Sequence, residues 1–301
     1  MFKKIGYLFQ AFTFLLFLGF ARLLPISWSS RLGGLITRGL RYVLKERALG
    51  IDNLSLAFPD MSTETKERIS KAVWDNVGKT GIEFLAIDKI AKNFEKHVDI
   101  EGLSHLAASR ETGRPILALS GHFANWNITL MTAMRELGNV IAIYRPVNNP
   151  YLDRIIRKQY QIISPRSLAK GESVSKMAQA LREGATIAML ADQHMSGGIE
   201  VEFFGQKVLA PGGPAMLSLR VGADLLPFHC RRDMEADVQP HYTVSIGAPF
   251  VSHKDSKKEQ IIDLTQQYYS YLEDEIRKCP ESWLWLHARF SKYNPQKKEL
   301  H

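Results

Sequence analysis

Cysteine is nearly absent: Cys230 and Cys279 are the only two in 301 residues, and they lie far apart. That excludes a disulfide framework and suits a domain facing a reducing compartment. No Cys/His cluster has zinc spacing, and no P-loop or dinucleotide fingerprint occurs, so neither a metal nor a nucleotide cofactor is expected. The chain also lacks a helix-turn-helix, zinc-finger spacing and an RNP-type aromatic strand, which leaves a nucleic-acid partner without a reading device. No Pro-, Gly- or Ser-rich linker divides it, and it has no internal repeat. One main domain, residues 27–301, behind an N-terminal appendage, residues 1–26, is the economical organisation.

What is present is basic charge and a leading apolar run. Thirty-nine Lys and Arg oppose 31 Asp and Glu, a formal net charge of +8, which attracts anionic lipid headgroups or acidic substrates and carriers. Tyr7–Ala21 reads YLFQAFTFLLFLGFA, flanked by Lys3, Lys4 and Arg22. A helix of that length reaches about 22 Å, short of the roughly 30 Å hydrocarbon core; extending it from Ile5 to Ile26 closes the gap if Arg22 snorkels. FARLLPIS is a poor leader-cleavage site, and a buried core helix stays open. A membrane-anchoring helix, spanning or lying in the interface, is the expectation. Arg31, Arg38, Arg41, Lys45 and Arg47 then punctuate Leu32, Leu35, Ile36, Leu40 and Val43, a basic amphipathic pattern. If the first run spans, this heavier load places the main domain on the cytoplasmic side.

Apolar positions Ile69, Val73, Val77, Ile82 and Leu85 recur at helical spacing after a capping Ser62 or Thr63, and a break is expected near Gly78 or Gly81. The texture then changes. PILALS at 115–120, the polar turn GHFANW, the helical stretch Ile128–Leu137 and NVIAIY at 139–144 make a βαβ unit. Helix Val174–Arg182, strand Thr186–Leu190, a loop, helix Gly213–Val221 and strand Asp224–His229 repeat it, and strand His241–Ile246 and helix Lys258–Arg277 follow. The predicted fold is α/β, a mixed, mostly parallel sheet flanked by helices.

Ligands of open α/β sheets bind beyond the carboxyl ends of strands. His122 sits there, just past PILALS, in a turn containing Gly121, and neutral imidazole suits proton removal from a hydroxyl near neutrality. SGHFANWN resembles the H-x-x-x-x-D/E block of the glycerolipid and lipid A acyltransferases, in the form found in late lipid A enzymes. NLSLAFPDMS, YRPVNNPYLDRIIRKQ, MLADQHMSGGIEVEFFGQKVLAPGGPAMLSLR and ESWLWLHARF are similar to four further blocks of that family, in order, across residues 53–290. The longer block at 192–205 resembles the alphaproteobacterial type.

The resemblance implies an acyltransferase domain over 27–301 at the bacterial inner membrane. It implies His122 as general base and acyl transfer from an acyl carrier protein thioester, as co-substrate, to a hydroxyl of a Kdo-bearing lipid A precursor. It departs at Asn127, where the family places Asp or Glu: an amide accepts a hydrogen bond but supplies no charge. Asp192, ending TIAML, is the obvious substitute acid, although the resemblance gives the family an acid there as well, with a role of its own; catalysis is expected to be weakened or rerouted. Arg145 at a strand–loop junction offers a charged fork for phosphate or oxyanion. Asn149 and Asp153 shape the following loop and are substrate-binding candidates through the same block, as are Lys170, Gln193 and Arg220. Arg154 and Arg157 meet lipid phosphate or simply solvent, and Phe203 and Phe204 line an acyl tunnel or pack a core. Trp283, Trp285 and His287 are read as structural. Another lipid acceptor, a lysophospholipid or glycolipid, and a membrane-bound homologue with disabled chemistry are the competing functions.

Overall fold

The computed structural model describes residues 2–144, 146–169, 174–233 and 239–290. Five helices open the chain: α1 (Phe2–Leu23), α2 (Ile26–Leu40), α3 (Glu46–Ala57), α4 (Thr63–Leu85) and α5 (Ile87–Lys92). Strands and helices then alternate: β1 (Val98–Glu101), α6 (Leu103–Glu111), β2 (Ile116–Ser120), α7 (Trp126–Leu137), β3 (Val140–Tyr144), α8 (Pro150–Ile163), β4 (Arg166–Ala169), α9 (Val174–Arg182) and β5 (Thr186–Leu190). The hairpin β6 (Ile199–Phe203) and β7 (Gln206–Ala210) precedes α10 (Gly213–Val221), β8 (Asp224–Arg232), β9 (Tyr242–Ile246) and α11 (Lys257–Lys278).

Seven strands form one sheet in the order β1-β9-β8-β2-β5-β3-β4. Every pairing is parallel except β8 with β9, so the expected mixed, mostly parallel sheet is present. Every residue of β2 is buried, as an unbroken apolar run requires when helices cover both sheet faces. Its side chains alternate between two cores. Leu117 and Leu119 pack with Leu181, Leu217 and Tyr268, while Ile116 and Ala118 pack with Ile90, Ile128 and Phe228.

Several boundaries differ from the sequence reading. The Ser62 hydroxyl caps α4 by accepting from Thr65 N at 3.2 Å, but α4 continues through Gly78 and Gly81 and breaks only at Ala86. The glycine serves a crossing: a Cβ on Gly78 would collide with the Gly33 carbonyl of α2. β8 runs on to Arg232 because β9 pairs with it, Arg232 opposite Tyr242. The stretch read as a loop after β5 contains the β6–β7 hairpin, closed by Phe204 and Gly205 at φ 53° and 67°. Both central residues of that tight turn need positive φ. Phe204 tolerates it because its N–H donates to Glu273 Oε2 at 2.5 Å and its ring packs on Phe58 and Trp285.

No described helix is long and apolar enough to cross a membrane. α1 is seated on the domain instead. Arg22 pairs with Asp88 at 2.5 Å, Lys89 Nζ donates to the Arg22 and Leu24 carbonyls at 2.7 Å, and Asn149 Nδ2 donates to the Tyr7 carbonyl at 2.9 Å. Ala11 and Leu18 face inward, whereas Ile5, Leu8, Phe9, Phe12 and Leu16 are exposed.

Candidate active site

β2 is central, and the chain leaves it through a turn that carries His122 and feeds α7. Two segments hold this turn, α4 and the stretch after α11. The Ala124 carbonyl accepts from Asn76 Nδ2 at 3.0 Å and Thr80 Oγ1 at 2.9 Å. Asn125 caps α7, its Oδ1 accepting from Asn127 N at 3.2 Å, while its Nδ2 donates to Glu83 Oε2 at 2.9 Å. Asn76, Thr80 and Glu83 share one face of α4 at helical spacing. From the other side the C-terminal segment lies antiparallel along the turn: Ala124 N donates to the Ser282 carbonyl at 2.6 Å and Leu284 N to the His122 carbonyl at 3.0 Å. Ala124, at φ 40°, is held in the left-handed region by these bonds.

Glu83 is fully buried. Arg232 grips it with two hydrogen bonds, at 2.6 and 2.9 Å, and Ser30 Oγ donates at 2.6 Å, with the Tyr242 hydroxyl also donating. Burial opposes its charge, but the Arg232 guanidinium and these donors hold its carboxyl below the usual range. One carboxylate thus ties α2, α4, β8, β9 and the His122 turn together.

Asp192, at the carboxyl end of β5 and fully buried, faces His122. Its Oδ1 lies 2.7 Å from His122 Nδ1, and its Oδ2 accepts from His122 N at 2.7 Å and Trp283 Nε1 at 2.9 Å. Burial opposes ionisation here, yet the His122 imidazole and these hydrogen bonds hold the carboxyl well below the usual carboxylate range. A charged Asp192 on Nδ1 fixes the tautomer with hydrogen on Nδ1, which leaves Nε2 as the basic nitrogen. The ring packs edge-on against Trp126, centroids 5.0 Å apart. His287 stands 6.3 Å away, and burial pushes its imidazole down to about 4, so it is neutral near pH 7.

Asn127 does not complete this pair. Its Nδ2 donates to Asn125 Oδ1 at 3.1 Å, and its Oδ1 has no hydrogen-bond partner among the described residues. Asn149 caps α8 by accepting from Tyr151 N and Leu152 N. Asp153 accepts from Val147 N at 3.0 Å and pairs with Arg157 at 3.2 Å, so both shape the loop after β3. Gln193 follows Asp192 and is half-buried. Arg220 is displaced from the others: it ends α10 just before β8, whose Asp224 pairs with Ile116 at the start of β2. That is the sheet edge opposite His122. Arg145 and Lys170 lie outside the described residues. Trp283, read as structural, donates directly to the Asp192 carboxylate; its only sequence signal was the ESWLWLHARF block. Phe203 and Phe204 pack among Phe58, Tyr269, Trp283 and Trp285, a core cluster and not a tunnel wall.

Beside the turn, between the sheet and α7 and α8, lies an apolar cavity of about 50 Å³. Ala118, Trp126, Leu130, Ala142, Tyr160 and Met189 line it, with Ser120, Asn127 and Thr129 at the polar positions.

The chain is similar to several known acyltransferases. The chain is 29% identical over 265 residues to a lipid A biosynthesis acyltransferase of Haemophilus influenzae, covering 84% of this chain and 80% of that one. It is 25% identical over 282 residues to the lipid A biosynthesis lauroyltransferase of Escherichia coli, covering 89% and 86%. A phosphatidylinositol mannoside acyltransferase of Mycobacterium tuberculosis matches at 26% over 147 residues, 47% of this chain and 46% of that one. A crystal structure of a Thermotoga maritima 1-acyl-sn-glycerophosphate acyltransferase superposes with a TM-score of 0.39 at 12% identity, over 82% of this chain and 98% of that one. The family model and the curated lipid A relatives show that the protein is an acyltransferase. It belongs to the bacterial lipid A biosynthesis acyltransferase family, whose profile matches residues 2–292, and its chemistry is lipid A acylation.

Proposed function

We propose that the protein transfers a fatty acyl chain from acyl carrier protein to a hydroxyl of a Kdo-bearing lipid A precursor, with His122 as general base. The observation that carries this reading is the buried, ionised Asp192 on His122 Nδ1. His122 Nε2 takes the hydroxyl proton as the acceptor oxygen attacks the thioester carbonyl carbon. The new C–O bond forms, the tetrahedral intermediate collapses, the C–S bond breaks, and the imidazolium returns its proton to the leaving thiolate. Asp192 stabilises the imidazolium between these events, the role a carboxylate plays in the serine triad. The missing acid at Asn127 is thereby supplied from β5, and catalysis is rerouted through Asp192.

The cavity lined by Ala118, Trp126, Leu130 and Tyr160 suits the acyl chain. The net charge of +8 suits an acidic carrier and a phosphorylated lipid. The exposed apolar face of α1, with Trp28 and Leu35 of α2 also exposed, suits a helix lying in one leaflet of the inner membrane from the cytoplasmic side. Another glycolipid acceptor is the second reading, supported by the similarity to a mannoside acyltransferase over about half of the chain. The deciding experiment is transfer by purified protein in detergent, using radiolabelled Kdo-lipid A precursor and a panel of carrier thioesters. Transfer that disappears in His122→Ala supports the proposal. Transfer retained by that variant, or seen only with another lipid acceptor, overturns it.

A further inference from the structure

The cavity beside the His122 turn is mostly apolar, and among the described residues two buried polar atoms on its lining stand without a partner, Thr129 Oγ1 and Asn127 Oδ1; the first is a hydroxyl that both donates and accepts, the second an acceptor only. Asn127 is 3% exposed, and its Oδ1 meets no donor among the described residues. The identity of that atom follows from its neighbours. Glu83, a carboxylate engaged by Arg232, only accepts, so the end of Asn125 that meets it at 2.9 Å is the NH₂. The Asn125 oxygen therefore faces Asn127, where it accepts from both the backbone N–H and the Nδ2 of that residue. Asn127 has no freedom to flip: its amide oxygen is the atom left over, and it lines the cavity with Ser120 and Trp126.

A bare buried acceptor is unfavourable beside a methylene and is relieved by a hydroxyl. An anionic group is excluded, because the oxygen only accepts. The position also sets where on the ligand the hydroxyl must sit. Ser120 and Trp126 flank the His122 turn in the chain, and Trp126 packs on the imidazole itself, so this end of the cavity receives the part of the chain next to the reacting carbonyl.

We propose that Asn127 Oδ1 is a hydroxyl-recognition point, and that the preferred acyl donor carries a hydroxyl on a carbon close to its carbonyl. The inference rests on the acyl-transfer reading above and assigns that cavity its substrate class. In the transition state the hydroxyl donates to Asn127 Oδ1 while His122 handles the acceptor proton.

The test compares lauroyl and β-hydroxylauroyl carrier thioesters, with the full chain and with Asn127→Leu, which keeps the side-chain shape and removes the acceptor. The expected result is a kcat/KM ratio favouring the hydroxyacyl donor by about tenfold in the unaltered protein and falling to one or below in the variant. Equal use of both donors by the unaltered protein overturns the proposal without reference to any variant, as does a ratio unchanged by the substitution. A calorimetric arm separates this inference from the reading beneath it, with free laurate and β-hydroxylaurate as probes. Tighter binding of the hydroxy acid, lost in Asn127→Leu, upholds the recognition point even where no carrier thioester supports transfer. Equal affinities sink it even where transfer proceeds.

Discussion

Asp192 receives three donors while fully buried, two from His122 and one from Trp283. Asp192→Asn leaves the shape and removes the charge, and its NH₂ must then face one of those donors. By analogy with the serine triad, kcat should fall roughly 10⁴-fold, read from initial rates at saturating donor, with the KM for the acceptor nearly unchanged. A second residue prediction concerns Asn127. In Asn127→Asp an acceptor replaces the Nδ2 that donates to Asn125 Oδ1, and Asn125 is held in place by Glu83. Restoring the acid at that position therefore sets oxygen against oxygen, and stability should drop by about 1–3 kcal/mol in urea denaturation, with no gain in rate. His287 supplies the pH dependence. Its ordinary value is 6.5 and burial lowers it to about 4, so between these limits the unfolded chain binds the proton and the fold does not. Stability from this group is present above pH 6.5 and lost as pH falls toward about 4. Comparing denaturation midpoints of the protein and His287→Phe across that window should show a flatter profile for the variant.

At the scale of elements, the α2–α4 crossing depends on glycine. Gly78→Ala places a methyl against the Gly33 carbonyl, so α4 must move away from α2 and carry Asn76, Thr80 and Glu83 with it. About 1–3 kcal/mol of overpacking is expected, together with reduced activity, because those three side chains hold the His122 turn. Little of this was legible in the sequence. The βαβ pattern around PILALS, the cap at Ser62 and the strand at 186–190 were, because apolar period and capping chemistry are local. The same locality marked Gly78 as a breaker, whereas tertiary packing makes it a contact. The β6–β7 hairpin escaped because its turn is Phe204-Gly205, with an aromatic where Asn or Asp would signal it. At the site, His122 and Asp192 were identified by their strand ends. Trp283 and Asn125 act through atoms 91 and 42 residues distant in the chain, Asp192 and Glu83 respectively, and no spacing rule reports such partners.

For the whole molecule, the first two helices expose apolar side chains and the charge balance is basic. Ile5, Phe9, Phe12 and Leu16 of α1 and Leu35 of α2 are exposed together with Trp28, while the chain carries an excess of eight positive charges. Binding to vesicles containing anionic lipid should fall with added salt, and Phe9→Glu with Leu16→Glu should weaken it at every salt concentration. Circular dichroism and the thermal midpoint should remain close to those of the parent, since neither side chain is buried. A sedimentation assay with neutral and anionic vesicles reads both effects. Binding insensitive to the paired substitution would place the lipid contact elsewhere.

α1 and the stretch from Ser282 to Leu284 have different duties, and a ribosome makes them at different times. α1, with its exposed apolar face, precedes the His122 turn in the chain. The backbone stretch from Ser282 to Leu284 that lines that turn, and the indole that steadies Asp192, are made well after both. At about 5–20 residues per second, tens of seconds separate them. A growing chain therefore holds its base and its acid before both are braced. A chain truncated before Ser282 would carry both groups with neither the backbone stretch nor the indole that steadies them.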